Sequence, residues 1–251
     1  MITIKWLVNP LKTVGLIFIS IIFFFSCDTT ETTDGTVSLS FSSGTPLQKV
    51  NDGALELTEV KILLRDIKLE MEDGIEDENE NEGEGEHEND DGGSYTLRVG
   101  PFVINLNLSG MTTDFVVANI PAGLYEEVKF KIHQIEASET SPDPEFKEGD
   151  DSSLRYSVIV KGLYNSDTFV YKSRKSAHQK LEFEPPIQLL ENSELNLTIK
   201  VDPYNWFYKD DILMDPSDPA NENDIDNNIE ESFEEAYEDD DHDGDHDGDD
   251  D

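Results

Sequence analysis

The sequence predicts an all-β chain: an antiparallel β-sandwich carrying an acidic disordered insertion, one C-terminal amphipathic helix and an acidic tail. Three observations point there. Nearly every apolar segment alternates with period two, as strands with one buried and one wet face do. Helical spacing appears only near the end of the chain. The surplus of charge sits in two blocks outside the alternating body.

The opening residues read as a lipoprotein signal. Lys5 and Lys12 form a positive n-region, Val14–Phe25 an apolar h-region, and Ser26 is the small residue before the sole cysteine, Cys27. Twelve apolar-rich residues are too few to span a bilayer as a helix, which takes about 20. Residues 1–26 are therefore expected to be removed and Cys27 to carry lipid. The chain would then be a bacterial outer-membrane lipoprotein, facing the periplasm or the cell exterior. Residues 27–34 form a polar tether. With no second cysteine in the sequence, no intramolecular disulfide staples the exported body.

The β-rich body is expected over 35–209. Val37, Leu39 and Phe41 alternate with Ser38, Ser40 and Ser42. In the long segment Ala54–Met71, Val60, Ile62 and Leu64 occupy one parity and Ile67, Leu69 and Met71 the other, so a bulge is expected near Arg65-Asp66. Short strands follow at Tyr95–Val99, Phe102–Leu108 and Phe115–Ala118. The turn Ile120-Pro121-Ala122-Gly123 leads into a strand at Tyr125–Ile135. Further strands are expected at Leu154–Gly162, Thr168–Lys172, Lys180–Glu184 and Glu194–Val201. Ile225, Ile229, Phe233, Ala236 and Tyr237 recur at helical spacing and predict one amphipathic helix. Acids near its C-terminus oppose the helix dipole, so it must dock on the body or take a cation.

The full chain has 57 acids against 18 bases, and loss of the signal removes Lys5 and Lys12. Such a balance excludes nucleic acid and anionic lipid as electrostatic partners. The insertion at 72–93 holds 12 acids between Glu72 and Asp91, and the C-terminal segment 210–251 holds 21, neither with a base. What remains has the charge of an ordinary soluble domain.

The order of Gly35-Thr36-Val37-Ser38-Leu39-Ser40, Ile120-Pro121-Ala122-Gly123-Leu124-Tyr125 and Glu194–Asp202 resembles a family of uncharacterised bacterial lipoprotein domains of unknown function with a transthyretin-like (prealbumin-like) β-sandwich. The resemblance implies a fold and a cell-envelope address and transfers no activity. In the Pro-Ala-Gly step, Pro121 presets a turn and Gly123 is expected to supply unusual backbone angles.

Candidate chemistry lies near the C-terminus. Asp239, Asp241, Asp243, Asp245, Asp247 and Asp250 fall at positions 1, 3, 5, 7, 9 and 12 of a calcium loop, with Gly244 at position 6. The helix ending at Tyr237 would enter it. Against this, the tail is so rich in Asp that the match is cheap, and position 12 lacks the longer Glu. His242 and His246, and His87 in the insertion, would suit zinc or nickel if held rigidly; a solvated polar run is the plainer account. His133 and His178 are expected on the wet surface. Tyr204 and Trp206, in the cluster Tyr204–Tyr208, could stack on sugar rings, the alternative being that Trp206 and Phe207 cap the core. No nucleophile triad, phosphate loop or redox pair is evident. Function thus reads as a non-enzymatic envelope lipoprotein, with membrane contact through its lipid and divalent cations, calcium among them, at its acidic C-terminal segment. A surface carbohydrate-binding or adhesion module is the alternative. The protein or glycan partner stays open.

Overall fold

The computed structural model describes residues 34–43, 54–71 and 93–239. The alternation of Val37, Leu39 and Phe41 becomes strand β1 (Asp34–Ser42), with all three side chains fully buried. The long segment becomes β2 (Leu55–Met71), and its parity switch falls where expected. Asp66 takes a positive φ of 56°, and the pairing register shifts between Arg65 and Lys68. A short polar residue tolerates that left-handed geometry, and the bulge returns Ile67 and Leu69 to the core.

Then come β3 (Ser94–Arg98), β4 (Phe102–Asn105), β5 (Thr113–Pro121), β6 (Gly123–Ile132), β7 (Val158–Tyr164), β8 (Asp167–Ser173), β9 (Ala177–Leu189) and β10 (Glu194–Val201). The last elements are a small hairpin of β11 (Tyr208–Lys209) and β12 (Ile212–Leu213), helix α1 (Glu222–Glu231) and β13 (Phe233–Glu238). Antiparallel sheets dominate, as the alternation requires. One sheet has the order β13-β10-β1-β5. The other has the order β8-β7-β2-β6-β9, with β3 and β4 also paired to β2. One pair departs from the antiparallel expectation: β1 and β10 run parallel, Val37 opposite Leu195 and Phe41 opposite Ile199. The long chain between them supplies the crossover a parallel pair needs.

The inner faces of the two sheets share a core in which Phe41 meets Phe115 and Phe130 edge to face. Each fully buried Leu, Ile, Val or Phe contributes about 1.5–3 kcal/mol. Gly35 allows this closure, because a Cβ there would lie 2.6 Å from Leu189 Cδ1 and 2.8 Å from the Leu190 carbonyl. At the Pro-Ala-Gly step, Gly123 serves by leaving room: its φ is not positive, and a Cβ would meet Met71 Cε at 2.2 Å. Buried Tyr125 then donates its hydroxyl back to the Pro121 carbonyl at 2.7 Å, fixing the corner, and burial pushes its phenol pKa well up.

Several features differ from the sequence reading. The expected strand from Leu154 begins only at Val158. Asp151 caps a 3-10 turn over Ser152–Leu154 by accepting from the Ser153 amide, which leaves Leu154 40% exposed. The expected helix to Tyr237 ends at Glu231, where Glu230 and Glu231 sit at the unfavourable end of the dipole. Phe233–Glu238 instead pairs antiparallel with β10, Ala236 opposite Ile199 and Phe233 opposite Val201. The sandwich therefore runs past Lys209 to Asp239, which is fully buried. Finally, Ser40 and Ser42, expected on a wet face, are buried, donating to Asp114 Oδ1 and to the Gly110 carbonyl.

Among the described residues no helix is long and apolar enough to cross a membrane. Residues 1–33, with Cys27, the insertion at 72–92 and the tail after Asp239 lie outside the described residues. The strands flanking the insertion pair with each other, Glu70 opposite Ser94.

Candidate functional site

The C-terminal elements form a cleft of about 400 Å³, near the lower end of small-molecule pockets. Its construction begins in the turn after β10. Asp202 accepts from the amides of Tyr204 (3.1 Å) and Asn205 (3.3 Å) and from Asn205 Nδ2 (2.8 Å). These bonds start a 3-10 turn over Asn205–Phe207 that drives Trp206 and Phe207 inward, both with zero exposure. The half-buried Asp202 carboxyl is pushed above the ordinary carboxylate range by burial, which outweighs those amides and the charge of Lys200.

The next wall is the β11–β12 hairpin. Asp210 (φ 50°) and Asp211 (φ 63°) form its two-residue turn in left-handed conformation, which Asp tolerates better than most residues. The third wall is α1. Asn228 donates from Nδ2 to the carbonyls of Tyr208 (2.7 Å) and Trp206 (3.0 Å), clamping helix to turn, and Lys209 Nζ reaches Asp224 at 2.9 Å. Glu231, Ser232 and Glu235 complete the lining, with Lys200 opposite Glu235 in the β10–β13 pair. The helix is also pinned to the seven-stranded sheet. Tyr171 donates to Asp226 at 2.7 Å, Gln179 donates to the Glu230 carbonyl at 2.9 Å, and Arg174 and Lys175 pair with Glu222 and Glu230.

Of the residues singled out in the sequence, the described ones are not brought together in this cleft. Asp239, the first position of the calcium loop, lies in the sheet: its amide donates to the Asn196 carbonyl at 3.0 Å, and its Oδ2 accepts from Thr198 Oγ1 at 2.9 Å. It follows a strand, so the expected entering helix is absent there. Asp241, Asp243, Asp245, Asp247 and Asp250 lie outside the described residues, as do His87, His242 and His246. Among the described residues no three His, Cys, Asp or Glu side chains converge to hold a metal. Trp206 is fully buried and has no ring face open to a sugar, which corrects the stacking expectation for that residue; Tyr204 is half-buried and packs against the core. Trp206 and Phe207 do cap the core end, Phe207 packing edge to face on Phe169 and Tyr171.

His133 is also a correction. Its residue is only 3% exposed, and Nε2 lies 2.6 Å from Glu139. It follows the last residue of β6, where the chain turns across the outer face of the sheet and covers the ring. His178 is exposed, as expected. Sequence reasoning missed Asp202 and Asn228, whose roles depend on a turn and a helix far apart in sequence. The Asp210-Asp211 pair between short apolar flanks was the one local signal for the hairpin wall.

Compared with family models, curated proteins and solved structures, the chain matches none of them.

Proposed function

We propose that this chain is a non-enzymatic cell-envelope lipoprotein, held in the bacterial outer membrane through lipid on Cys27, whose acidic C-terminal region takes divalent cations. The observation that carries the reading is the single cysteine directly behind a charged n-region and an apolar h-region. In support, β1 begins at Asp34, seven positions after Cys27, so a folded body follows almost at once. The resemblance to lipoprotein domains with a transthyretin-like sandwich supports the same address.

The cation reading rests on the eight Asp residues between Asp240 and Asp251. Hard carboxylate oxygens suit calcium, and without a helix entering at Asp239 affinity belongs in the weak range of about 10⁻⁴ to 10⁻³ M. Two experiments separate the parts of this reading. Replacing Cys27 with serine should move the protein from the membrane to the soluble fraction; unchanged fractionation removes the anchor. Calorimetry should give saturable calcium binding to the full chain that is lost when the chain ends at Asp239. Binding that survives this truncation, or association that never saturates, removes the tail as a calcium ligand.

A further inference from the structure

The connection between β6 and β7, residues 133–157, crosses the outer face of the seven-stranded sheet as a strap. Beneath it lies a second apolar cluster, separate from the sandwich core: Leu63, Ile135, Phe146, Tyr156 and Ile159, all buried, with Val103 packed beside them. Leu63 and Val103 face each other across the β2–β4 pair, and Ile159 stands opposite Lys61 across the β2–β7 pair. The strap contains only two single 3-10 turns, Pro144–Phe146 and Ser152–Leu154, and one isolated bridge between Lys147 and Arg155. Backbone hydrogen bonds to the sheet strands are made at its two ends, by His133 and Ser157.

Its side-chain ties to the sheet strands are largely ionic and of one polarity, strap carboxylates on sheet bases. Asp143 and Glu145 accept from Lys61 of β2 at 2.9 and 3.1 Å. Glu145 also accepts from Lys161 of β7 at 2.8 Å, with Glu59 of β2 sharing both lysines. Glu148 accepts from Lys172 of β8 at 2.5 Å and from the Tyr156 hydroxyl at 3.0 Å. Glu139 is faced by Arg65 of β2 at 2.9 Å, itself paired with Asp66, by His133, the first residue of the strap, and by the Glu136 amide at 2.8 Å. Lys147 donates to the Glu139 carbonyl.

We propose that the 133–157 strap is an ionic latch that opens ahead of the sandwich on acidification, uncovering the apolar face of Leu63, Ile159 and Val103. Protonating these four carboxylates removes the strap's ionic ties together, while the main core between the sheets is held chiefly by apolar packing. The direction of their titration agrees. Glu145 and Glu148 are held below the usual carboxylate value of 4.5 by their lysines, Glu148 also by the Tyr156 hydroxyl. Burial works against Glu139 and Asp143, yet backbone amides with His133 and Lys61 still hold them low. A carboxylate lowered on folding stabilises above its unfolded pKa and loses that contribution as pH falls through its folded value. The latch therefore opens on the acid side.

The test compares strap and core in one full-length protein. Amide hydrogen exchange, corrected for the intrinsic pH dependence, is followed at His133, Phe146 and Tyr156, whose amides donate to Leu63, Asp143 and Phe146 carbonyls. Trp206 emission reports the main core, with Trp6, the other tryptophan, replaced by phenylalanine. Strap exchange should rise by at least about tenfold between about pH 6 and pH 3 while Trp206 emission stays constant. The double variant Asp143→Asn with Glu145→Gln should raise strap exchange already at neutral pH and flatten its pH response. Loss of strap and core in one transition, strap exchange indifferent to pH, or a double variant that matches the parent would each overturn the latch.

Discussion

Ending the chain at Lys209 should abolish folding, whereas ending it at Asp239 should leave the sandwich intact. The acidic composition after Lys209 suggests a dispensable tail, yet Ile225, Ile229, Phe233 and Tyr237 are all at most 4% exposed. The first three each contribute about 1.5–3 kcal/mol by burial, and their sum is comparable with the about 5–15 kcal/mol that separates a folded domain from its unfolded chain. Truncation at Lys209 would also strip the β13 partner from β10 and uncover the Trp206 and Phe207 side of the core. Circular dichroism and thermal melting decide it. A cooperative melt for the chain ending at Lys209 would show that α1 and β13 are not part of the folded unit.

Replacing Trp206 with alanine should destabilise the protein by about 3–5 kcal/mol, the cost of emptying a fully buried indole site. Replacement by phenylalanine should cost clearly less. The indole N–H finds no hydrogen-bond partner among the described residues, so its loss removes no bond. Urea denaturation reads both. An alanine variant losing less than about 1 kcal/mol would place Trp206 at the surface and reopen the stacking role.

How much of this was legible in the sequence depended on whether the signal was local. Period-two alternation in Val37–Phe41 and Leu195–Val201 is a property of the strand itself, and both became strands with those residues inside. The bulge at Asp66 was legible because a parity switch admits few other remedies. The C-terminal segment misled because its apolar residues fit helical spacing over Ile225–Tyr237. Pairing with β10, a partner more than thirty positions away, decided the state of Phe233–Glu238. The same holds for His133: alternation put it on the outer face correctly, but no local pattern announces a strap that buries that face. The cleft was illegible for a related reason. Asp202, Asp210, Asn228 and Glu235 are separated in sequence and meet only through the docking of α1.

Whether lipid on Cys27 tethers this sandwich is decided by the mass of the N-terminal peptide of the protein recovered from bacterial membranes. The chain should begin at Cys27 and carry acyl groups on that residue. Recovery of an unmodified chain that still begins at Met1 would contradict the tether.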